Sequence, residues 1–454
     1  MAASTYVTGP SQAPHIGLGD TAGHPSREGS CDSANTVPPT GRLPETKWWQ
    51  GSDVLPRLLA DLISAEARRL RPADRLRLAC PWAPATRLDE SGLGFDSLER
   101  IQLAAALSEL IQMHESGLAD DLLARPVFGE WCATAAEALR RSSATLAFQT
   151  AGSTGTPKSC RHALAELERE VDAHMTALSG VATRVLSAVP CHHIYGFLFT
   201  VLLPQRLRVP VLDIRGHSPG ALPALARQGD LIVGYPAFWM AVSRAAPSGW
   251  PAGVTGVTST GPCPVETAET LLAGSLSRLL QIHGSSETAG IGWRDDARDP
   301  YKLLPYWERG AEGRLIRAAL TGSQAAPTAV LAPDKLEWLD RSSYLVGARH
   351  DGAVQVGGVN VFADRVRDVL QEHPDVAAAA VRLMNPPEGL RLKAFIVPRS
   401  AGVDTAALRS ALNALAAARL SAPEQPRAYT FGQALPAGPM GKAADWMILP
   451  DRDF

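Results

Sequence analysis

The chain has 454 residues, of which 45% are hydrophobic and 20% are charged, and its formal net charge is −2. This balance predicts a globular protein of two or three domains and excludes the basic field expected of a nucleic-acid-binding protein. No apolar run approaches the ~18 residues of a membrane span, and the six cysteines lack paired or CxxC spacing. Because the N-terminus also lacks a secretory signal, we expect a cytoplasmic protein.

The first 45 residues differ in composition from the rest of the chain. Residues 1–45 are rich in Gly, Pro, Ser and Thr and poor in large apolar residues, which predicts a disordered tail. Leucines at helical spacing predict a helix from Val54 to Leu70. Asp96 and Glu99 fit a capping box at the start of a second helix, and a third is predicted at about 127–139.

Residues 149–158, QTAGSTGTPK, follow an apolar, β-leaning run and precede a predicted helix. Within residues 151–156, two glycines and three hydroxyl side chains can fold N–H and O–H groups round an anion, and Lys158 adds a positive charge. The composition suits a polyphosphate, although the GxxxxGK[ST] spacing of nucleotide triphosphatases is absent. An ordinary Gly/Ser/Thr turn would also have this composition.

Short apolar runs separated by helical stretches come next, at 185–189, 209–212, 231–233, 254–259 and 279–282. Such alternation predicts parallel strands covered by helices, with ligand sites at the strand ends. The last hundred residues repeat the alternation on a smaller scale, with strands predicted at 376–381 and 394–397 and a helix at 407–418.

Several motifs resemble, in order, those of the adenylate-forming superfamily, which includes acyl- and aryl-CoA ligases. The loop at 149–158 resembles TSGSTGxPK, VPCHHIYGF at 189–197 resembles PxxHxxG, and HGSSET at 283–288 resembles YGxTE. Farther along, PDKL at 333–336 resembles TGDL, GARHD followed by GAVQVGG at 347–358 resembles GRxD followed by KxxG, and PAGPMGK at 436–442 resembles the terminal GK loop. STGPCP at 259–264 is a weaker match to a small-residue segment beside the adenine and acyl groups.

The resemblance implies a nucleotide site and a magnesium site. It assigns to the nucleotide Thr150, Gly152, Ser153, Thr154, Gly155, Lys158, His283, Ser286, Asp334 and Arg349. Ser286 would act at the α-phosphate, Asp334 and Arg349 would bond the ribose, and His283 stands where the family usually has an aromatic residue near adenine. Glu287 would hold Mg²⁺, which prefers carboxylate and phosphate oxygens.

The same resemblance implies three further roles. Lys442 would swing into the active site and bridge the substrate carboxylate and the α-phosphate, and His193 would lie beside the acyl pocket. Asp351 would be the hinge between a large and a small domain, and Gln355 replaces a family lysine just after it. The Cys-His-His string before Ile194 could suggest a metal, but three adjacent residues cannot all face one ion.

The segment LGFDSLER at 93–100 resembles the GxDSL site of acyl carrier proteins, in which the serine carries a phosphopantetheine arm. This second resemblance implies a carrier-like helical domain with its attachment site at Ser97. A plain N-capped helix accounts for Asp96 and Glu99 without it.

We therefore expect an α/β fold of the adenylate-forming type. Its parts are a disordered tail at 1–45, a helical carrier-like bundle at 50–141, a shortened AMP-binding α/β domain at 142–350 and a small mobile α+β subdomain at 351–454.

The expected activity is ATP- and Mg²⁺-dependent activation of a carboxylic acid as its acyl adenylate, followed by transfer to a thiol. The acid is expected to be an aryl or fatty acid, because no aspartate accompanies His193 in its segment and a buried substrate ammonium would lack a partner. The thiol is that of coenzyme A or of phosphopantetheine on a carrier. The carrier could be Ser97 of the same chain or a separate protein. A carrier protein or a phosphopantetheinyl transferase would then be a partner. Two alternatives stay open: a carrier protein with an inactive adenylation domain, and an adenylate-binding scaffold.

Overall fold

The computed structural model describes residues 47–71, 81–150, 158–178, 182–246, 248–385, 388–437 and 444–448. The predicted tail at 1–45, most of the phosphate-loop motif and Lys442 lie outside these ranges. None of the described helices is both long and apolar enough to cross a bilayer.

Three helices precede the first strand: α1 (Val54–Leu70), α2 (Ser97–Leu110) and α3 (Phe128–Arg141). They coincide closely with the predicted helices. The Asp96 carboxylate accepts from the N–H of Glu99 at 2.8 Å, and the Glu99 carboxylate accepts from the N–H of Asp96 at 2.9 Å. The predicted capping box is therefore confirmed.

These helices share one hydrophobic core with the α/β domain. Leu58 of α1, Leu107 of α2 and Trp131 of α3 belong to the same buried cluster as Phe148 and Val185, which lie on the strands that follow. An amphipathic helix must bury its apolar face against some partner, and here that partner is the sheet side of the molecule. A separate carrier-like bundle at 50–141 is not confirmed.

The centre of the fold is a nine-stranded mixed sheet in the order β13-β14-β9-β8-β7-β6-β5-β3-β4. Its parallel half comprises β3 (Arg184–Ser187), β4 (Val211–Asp213), β5 (Asp230–Gly234), β6 (Thr255–Thr258) and β7 (Arg278–Ser285). Its antiparallel half adds β8 (Ala289–Arg294), β9 (Tyr301–Leu303), β13 (Asp334–Trp338) and β14 (Ser343–Arg349). The five predicted strands are confirmed as β3 to β7.

Both faces of the parallel half are covered, which explains why its strands are almost continuously apolar. Val185 and Leu231 face the core shared with α1 to α3. Their neighbours Leu186 and Ile232 face a second core, which includes Trp239. Successive side chains of a strand point to opposite faces, so each strand contributes to both cores.

An antiparallel hairpin of β1 (Thr145–Thr150) and β2 (Lys158–Ala163) precedes this sheet, and in it Thr150 and Lys158 are register partners. The helices of this part are α4 (Leu164–Ala177), α5 (Ile194–Phe197), α6 (Leu203–Leu207), α7 (Leu222–Leu225), α8 (Pro236–Ala245) and α9 (Val265–Ala273), with a π-helical turn at Leu198–Leu202. A small sheet of β10 (Trp307–Arg309), β11 (Arg314–Arg317) and β12 (Thr328–Leu331) lies within the antiparallel part of the chain.

The C-terminal part is a small α+β unit. Its elements are the hairpin β15 (Val354–Val356) and β16 (Val359–Val361), then α10 (Ala363–Gln371), β17 (Val376–Leu383), β18 (Leu392–Pro398), α11 (Thr405–Arg419) and β19 (Ala428–Phe431). Val356 and Val361 of the hairpin share its core with Leu370 and Leu412. The strands and the helix predicted for this region are confirmed.

Candidate active site

Three of the motifs lie at one edge of the central sheet. Strands β3, β5, β6 and β7 are parallel, so their carboxyl ends meet at the same edge. The segments that leave this edge carry His193 after β3, Thr260 after β6 and Glu287 after β7. The fold thus brings together chain segments that are far apart in the sequence.

His283, Asp334 and Arg349 form one contiguous group. His283 Nε2 lies 3.1 Å from Asp334 Oδ2, and Asp334 and Arg349 are register partners on β13 and β14. His283 Nδ1 lies 2.9 Å from the Tyr344 hydroxyl. Since a carboxylate only accepts, the Nε2–H of the ring donates to Asp334.

His283 is surrounded by aromatic and polar side chains of the protein. The ring is 9% exposed and packs 5.4 Å from Tyr301 and 5.5 Å from Tyr344 between ring centroids. Its polar atoms are therefore used within the protein, where they tie β7 to the two strands that carry Asp334 and Arg349. Tyr344 was not among the predicted site residues, because a tyrosine in a strand has no motif of its own.

Arg349 also pairs with the predicted hinge residue. Its guanidinium donates to Asp351 at 2.9 and 2.7 Å, and the Asp351 carboxylate also accepts from the N–H of Ala353 at 3.0 Å. The hydrogen bonds from Arg349 lower the pKa of the Asp351 carboxyl below its ordinary value. The predicted ribose ligand and the predicted hinge are thus directly coupled.

Glu287 lies in the turn between β7 and β8, and one of its carboxylate oxygens is buried without a partner in the described part of the chain. Its Oε2 is buried and has no hydrogen-bond partner among the described residues. A buried carboxylate oxygen without a donor is costly, and a cation relieves that cost. No group of three or more His, Cys, Asp or Glu in the described ranges could hold a metal by itself. The donor set therefore fits Mg²⁺ that shares one carboxylate with phosphate oxygens and water.

The turn that carries Glu287 is fixed by hydrogen bonds with residues that the sequence analysis did not identify. His162 Nε2 lies 2.7 Å from the Ser286 carbonyl oxygen, and since a carbonyl only accepts, the imidazole donates. Burial lowers the pKa of His162, which favours the neutral ring. The buried Glu170 carboxylate accepts from the N–H of Gly290 at 2.9 Å with both oxygens.

Arg317 completes this support. It donates to the Thr288 carbonyl oxygen at 2.6 Å and pairs with Glu166 of α4 at 2.7 Å. The helix that follows the phosphate-loop motif and the turn that carries Glu287 are thus joined by several side chains. None of these contacts has a sequence signal, since three of the four join residues more than a hundred positions apart and Arg317 lies 29 positions from Thr288.

The phosphate-loop motif is only partly described. Thr150 and Lys158 are placed opposite each other at the ends of β1 and β2, and the Lys158 side chain is exposed. The other predicted residues of the loop, Gly152, Ser153, Thr154 and Gly155, lie outside the described residues, as does Lys442.

His193 begins α5 and lies against its neighbour. The rings of His192 and His193 are 4.1 Å apart between centroids. His193 is exposed, and desolvation lowers its pKa below the ordinary value. Desolvation also lowers the pKa of the buried His192 well below its ordinary value.

The small domain approaches the same edge through its first hairpin. A Cβ at Gly358 would come within 2.6 Å of Thr260 Oγ1, and Gly261 lies close to the Gln355 side chain. Gly358 has a φ of +84°, which favours glycine, and Thr260 itself has a φ of +74°. The turn between β15 and β16 therefore lies directly on the segment that follows β6.

Comparisons with known proteins agree with this geometry. Family models for the AMP-binding enzyme and for the AMP-binding enzyme C-terminal domain match residues 98–307 and 366–442. A 4-coumarate–CoA ligase of Rhodobacter capsulatus is 37% identical over 399 residues, which cover 86% of this chain and 99% of that protein. The chain belongs to the adenylate-forming, AMP-binding enzymes.

A second relative supports the family assignment, and one solved structure supports the fold. A 4-coumarate–CoA ligase of Halorhodospira halophila is 36% identical over 400 residues, covering 86% of this chain and 98% of that protein. The structure of the amide bond synthetase McbA from Marinactinospora thermotolerans matches with a TM-score of 0.55 at 19% identity, covering 85% of this chain and 92% of that one. The protein is thus an AMP-forming ligase with the large and small domains of this fold.

The coverage also bears on the Ser97 region. Because 86% of the chain is matched by the Rhodobacter protein and Ser97 lies about a fifth of the way along it, the matched stretch includes α2. The family model for the AMP-binding enzyme likewise begins at residue 98. The helix that begins at Ser97 therefore belongs to the matched enzyme and shares its core.

Proposed function

We propose that this AMP-forming ligase joins an aryl carboxylic acid to the thiol of coenzyme A through an acyl adenylate. The observation that carries the proposal is the buried, unpartnered Glu287 oxygen at the sheet edge that also presents His193. A magnesium–nucleotide held there would lie at the same sheet edge as His193, beside which the acid would bind. Relatives that match almost end to end are named 4-coumarate–CoA ligases, which supports an aryl acid of that kind.

The reaction would proceed in two displacements. The substrate carboxylate oxygen attacks the α-phosphorus of ATP, and pyrophosphate leaves; the thiol sulfur then attacks the acyl carbonyl carbon, and AMP leaves. Bound Mg²⁺, held by Glu287 with phosphate oxygens, would supply charge neutralisation at the phosphates. Ser286, Lys158 and Lys442 would donate to phosphoryl oxygens where negative charge grows in the first step.

One acid from another part of the chain lies near His193 in the fold. Asp61 of α1 lies near His193, although the sequence around His193 contains no acid. Asp61 pairs with Arg215 at 2.6 Å and accepts from the N–H of Cys191 at 2.8 Å, so both of its oxygens already have partners within the protein. A substrate ammonium would still find no free carboxylate among the described residues that surround His193.

We therefore predict that 3-(4-hydroxyphenyl)propanoate supports pyrophosphate exchange and that tyrosine does not. The two acids differ only in the α-amino group, so they form a matched pair. Burial of an unpartnered ammonium costs several kcal/mol, and a discrimination of about 10²-fold or more in kcat/KM is expected. Isotope exchange with both acids, and with 4-coumarate and a fatty acid, is the measurement. Robust exchange with tyrosine and none with its deamino analogue would overturn the substrate class.

A phosphopantetheine arm on Ser97 is the second candidate acceptor. Ser97 is exposed at the start of α2, and the neighbouring Leu98 and Ile101 are 64% and 48% exposed. An exposed serine beside exposed apolar side chains suits modification and docking. Coenzyme A is favoured because α2 belongs to the matched part of relatives named CoA ligases.

We expect Ser97→Ala to leave both pyrophosphate exchange and thioester formation with free coenzyme A within about twofold of wild type, as for a surface substitution. Intact mass is measured after incubation with a phosphopantetheinyl transferase, ATP and the acid. An arm that appears on the wild type and becomes acylated, and that Ser97→Ala lacks, would establish the carrier in place of coenzyme A.

A further inference from the structure

A buried carboxylate links α1 to the segment that carries His193. Asp61 is 5% exposed, and its Oδ2 accepts from the backbone N–H of Cys191 at 2.8 Å. Its Oδ1 pairs with Arg215 at 2.6 Å, and Arg215 also donates to Asp213 at the end of β4. One carboxylate thus connects α1 with the segments that leave both β3 and β4.

A second side chain of α1 holds the far end of the same segment. Arg57 lies one turn before Asp61 and donates to the Thr200 carbonyl oxygen at 2.7 Å. Upstream of α1, the Trp48 ring packs on Phe197 at 5.0 Å between centroids. The stretch from Cys191 to Thr200 is therefore anchored at both ends by the N-terminal helical segment.

A charged residue is a costly choice for this position. An apolar side chain of similar volume would stabilise the core at least as well as a buried ion pair, which must lose the hydration of both ions. A carboxylate fixes the position of the backbone more specifically than an apolar side chain does, because it accepts a hydrogen bond from one particular N–H. That point, the N–H of Cys191, is two residues before His193.

We propose that Asp61 is a positioning residue for the acid substrate, which fixes the His193 segment through the backbone of Cys191 and makes α1 part of the wall of the acyl site. The inference rests on the proposed function, in which His193 lies beside the acid. It adds a specificity-determining role for a helix that comes more than a hundred residues earlier in the chain.

The electrostatic surroundings of His193 supply an independent readout. The groups that act on it are Asp61 and Arg68 of α1 and the neighbouring ring of His192. Desolvation and Arg68 lower the pKa of His193, and the Asp61 charge raises it. When this charge is removed, the pKa of His193 falls further. In a plot of the KM for the acid against pH, the inflection caused by titration of His193 therefore moves to lower pH.

The test compares Asp61→Asn and Asp61→Ala with Asp53→Asn, an exposed residue at the start of the same helix whose side chain makes no cap hydrogen bond. Asparagine keeps an acceptor for the Cys191 N–H but removes the charge, whereas alanine removes both. Misplacement of a positioning segment is expected to raise the KM for the acid about tenfold in Asp61→Ala, with the KM for ATP unchanged. Asp61→Asn should change the acid KM less but shift its pH dependence, and Asp53→Asn should change neither.

Equal changes in the KM values for the acid and ATP, or no change in either, would overturn the inference. If Asp61→Ala does not fold, the pH dependence of Asp61→Asn decides the question. His193→Ala separates this inference from the proposed function. An increased acid KM in His193→Ala without an effect of the Asp61 variants refutes only the role of Asp61, whereas an unchanged acid KM in His193→Ala refutes the acyl role of His193 itself.

Discussion

Glu287→Gln is expected to reduce pyrophosphate exchange by about 10²-fold, the scale of losing one preorganised electrostatic contact to a transition state. The substitution keeps the size of the side chain and removes its charge. The carboxylate has a buried oxygen without a partner among the described residues, so the change leaves every described hydrogen bond of the turn in place. The fold should be retained, because Ser286, Thr288 and Gly290 are held by other side chains.

The decisive measurement is binding. Calorimetric titration of a non-hydrolysable ATP analogue, with and without Mg²⁺, should show a magnesium-dependent gain in affinity for the wild type and little gain for Glu287→Gln. Glu266→Gln, an exposed glutamate in the first turn of α9, is the matched control and should behave as wild type. A full magnesium-dependent gain in Glu287→Gln would refute the metal role of this carboxylate.

The strands of the central sheet could be predicted because their chemistry is local. A strand buried on both faces is rich in apolar residues at successive positions, and β3, β5 and β7 each contain such a short run, at 185–186, 231–233 and 279–280. The capping box at Asp96 and Glu99 is likewise a pattern of four residues with a physical cause of its own. Such features depend only on residues that are neighbours in the chain, so one sequence is enough to predict them.

The packing of the N-terminal helices could not be predicted in the same way. The leucines of α1 show that one face is buried, but a periodic stripe does not identify the surface that covers it. A free-standing bundle and a shared core satisfy the same pattern. The structure places Leu58 and Phe148 in one core, a packing that the periodic pattern alone does not distinguish from a free-standing bundle.

The candidate site was partly predictable for a related reason. Motif matches identified His283, Asp334 and Arg349, which the fold does bring together. They did not identify Asp61 or Glu170, whose partners Cys191 and Gly290 lie 130 and 120 residues away in the sequence. An isolated acid in an amphipathic helix is normally a solvated residue, and only the fold shows these two to be buried.

Lys442→Ala should produce the largest loss, with pyrophosphate exchange reduced by about 10²–10³-fold, since Lys442 would contribute a full positive charge where the phosphoryl oxygens become more negative. Ala444 and Asp445, which follow it in the chain, contact residues of the small domain. The N–H of Ala444 donates to the Pro436 carbonyl oxygen at 3.0 Å. The fully buried Lys393 pairs with Glu388 at 2.7 Å and with Asp445 at 3.1 Å. Because these contacts do not involve the Lys442 side chain, the melting temperature of Lys442→Ala should stay close to that of the wild type.

The two half-reactions give a sharper test than overall activity. A positioned lysine that bridges carboxylate and α-phosphate acts when the adenylate forms and is not needed when a thiol displaces AMP. Lys442→Ala should therefore convert chemically supplied acyl adenylate to the coenzyme A thioester at close to the wild-type rate while it fails to make that adenylate. Lys302→Ala, at an exposed lysine of β9, controls for the loss of one surface charge and should leave both half-reactions unchanged. Exchange at the wild-type rate in Lys442→Ala, or equal loss of both half-reactions, would exclude an adenylation-specific role, because a general disturbance of the small domain would impair thiol transfer as well.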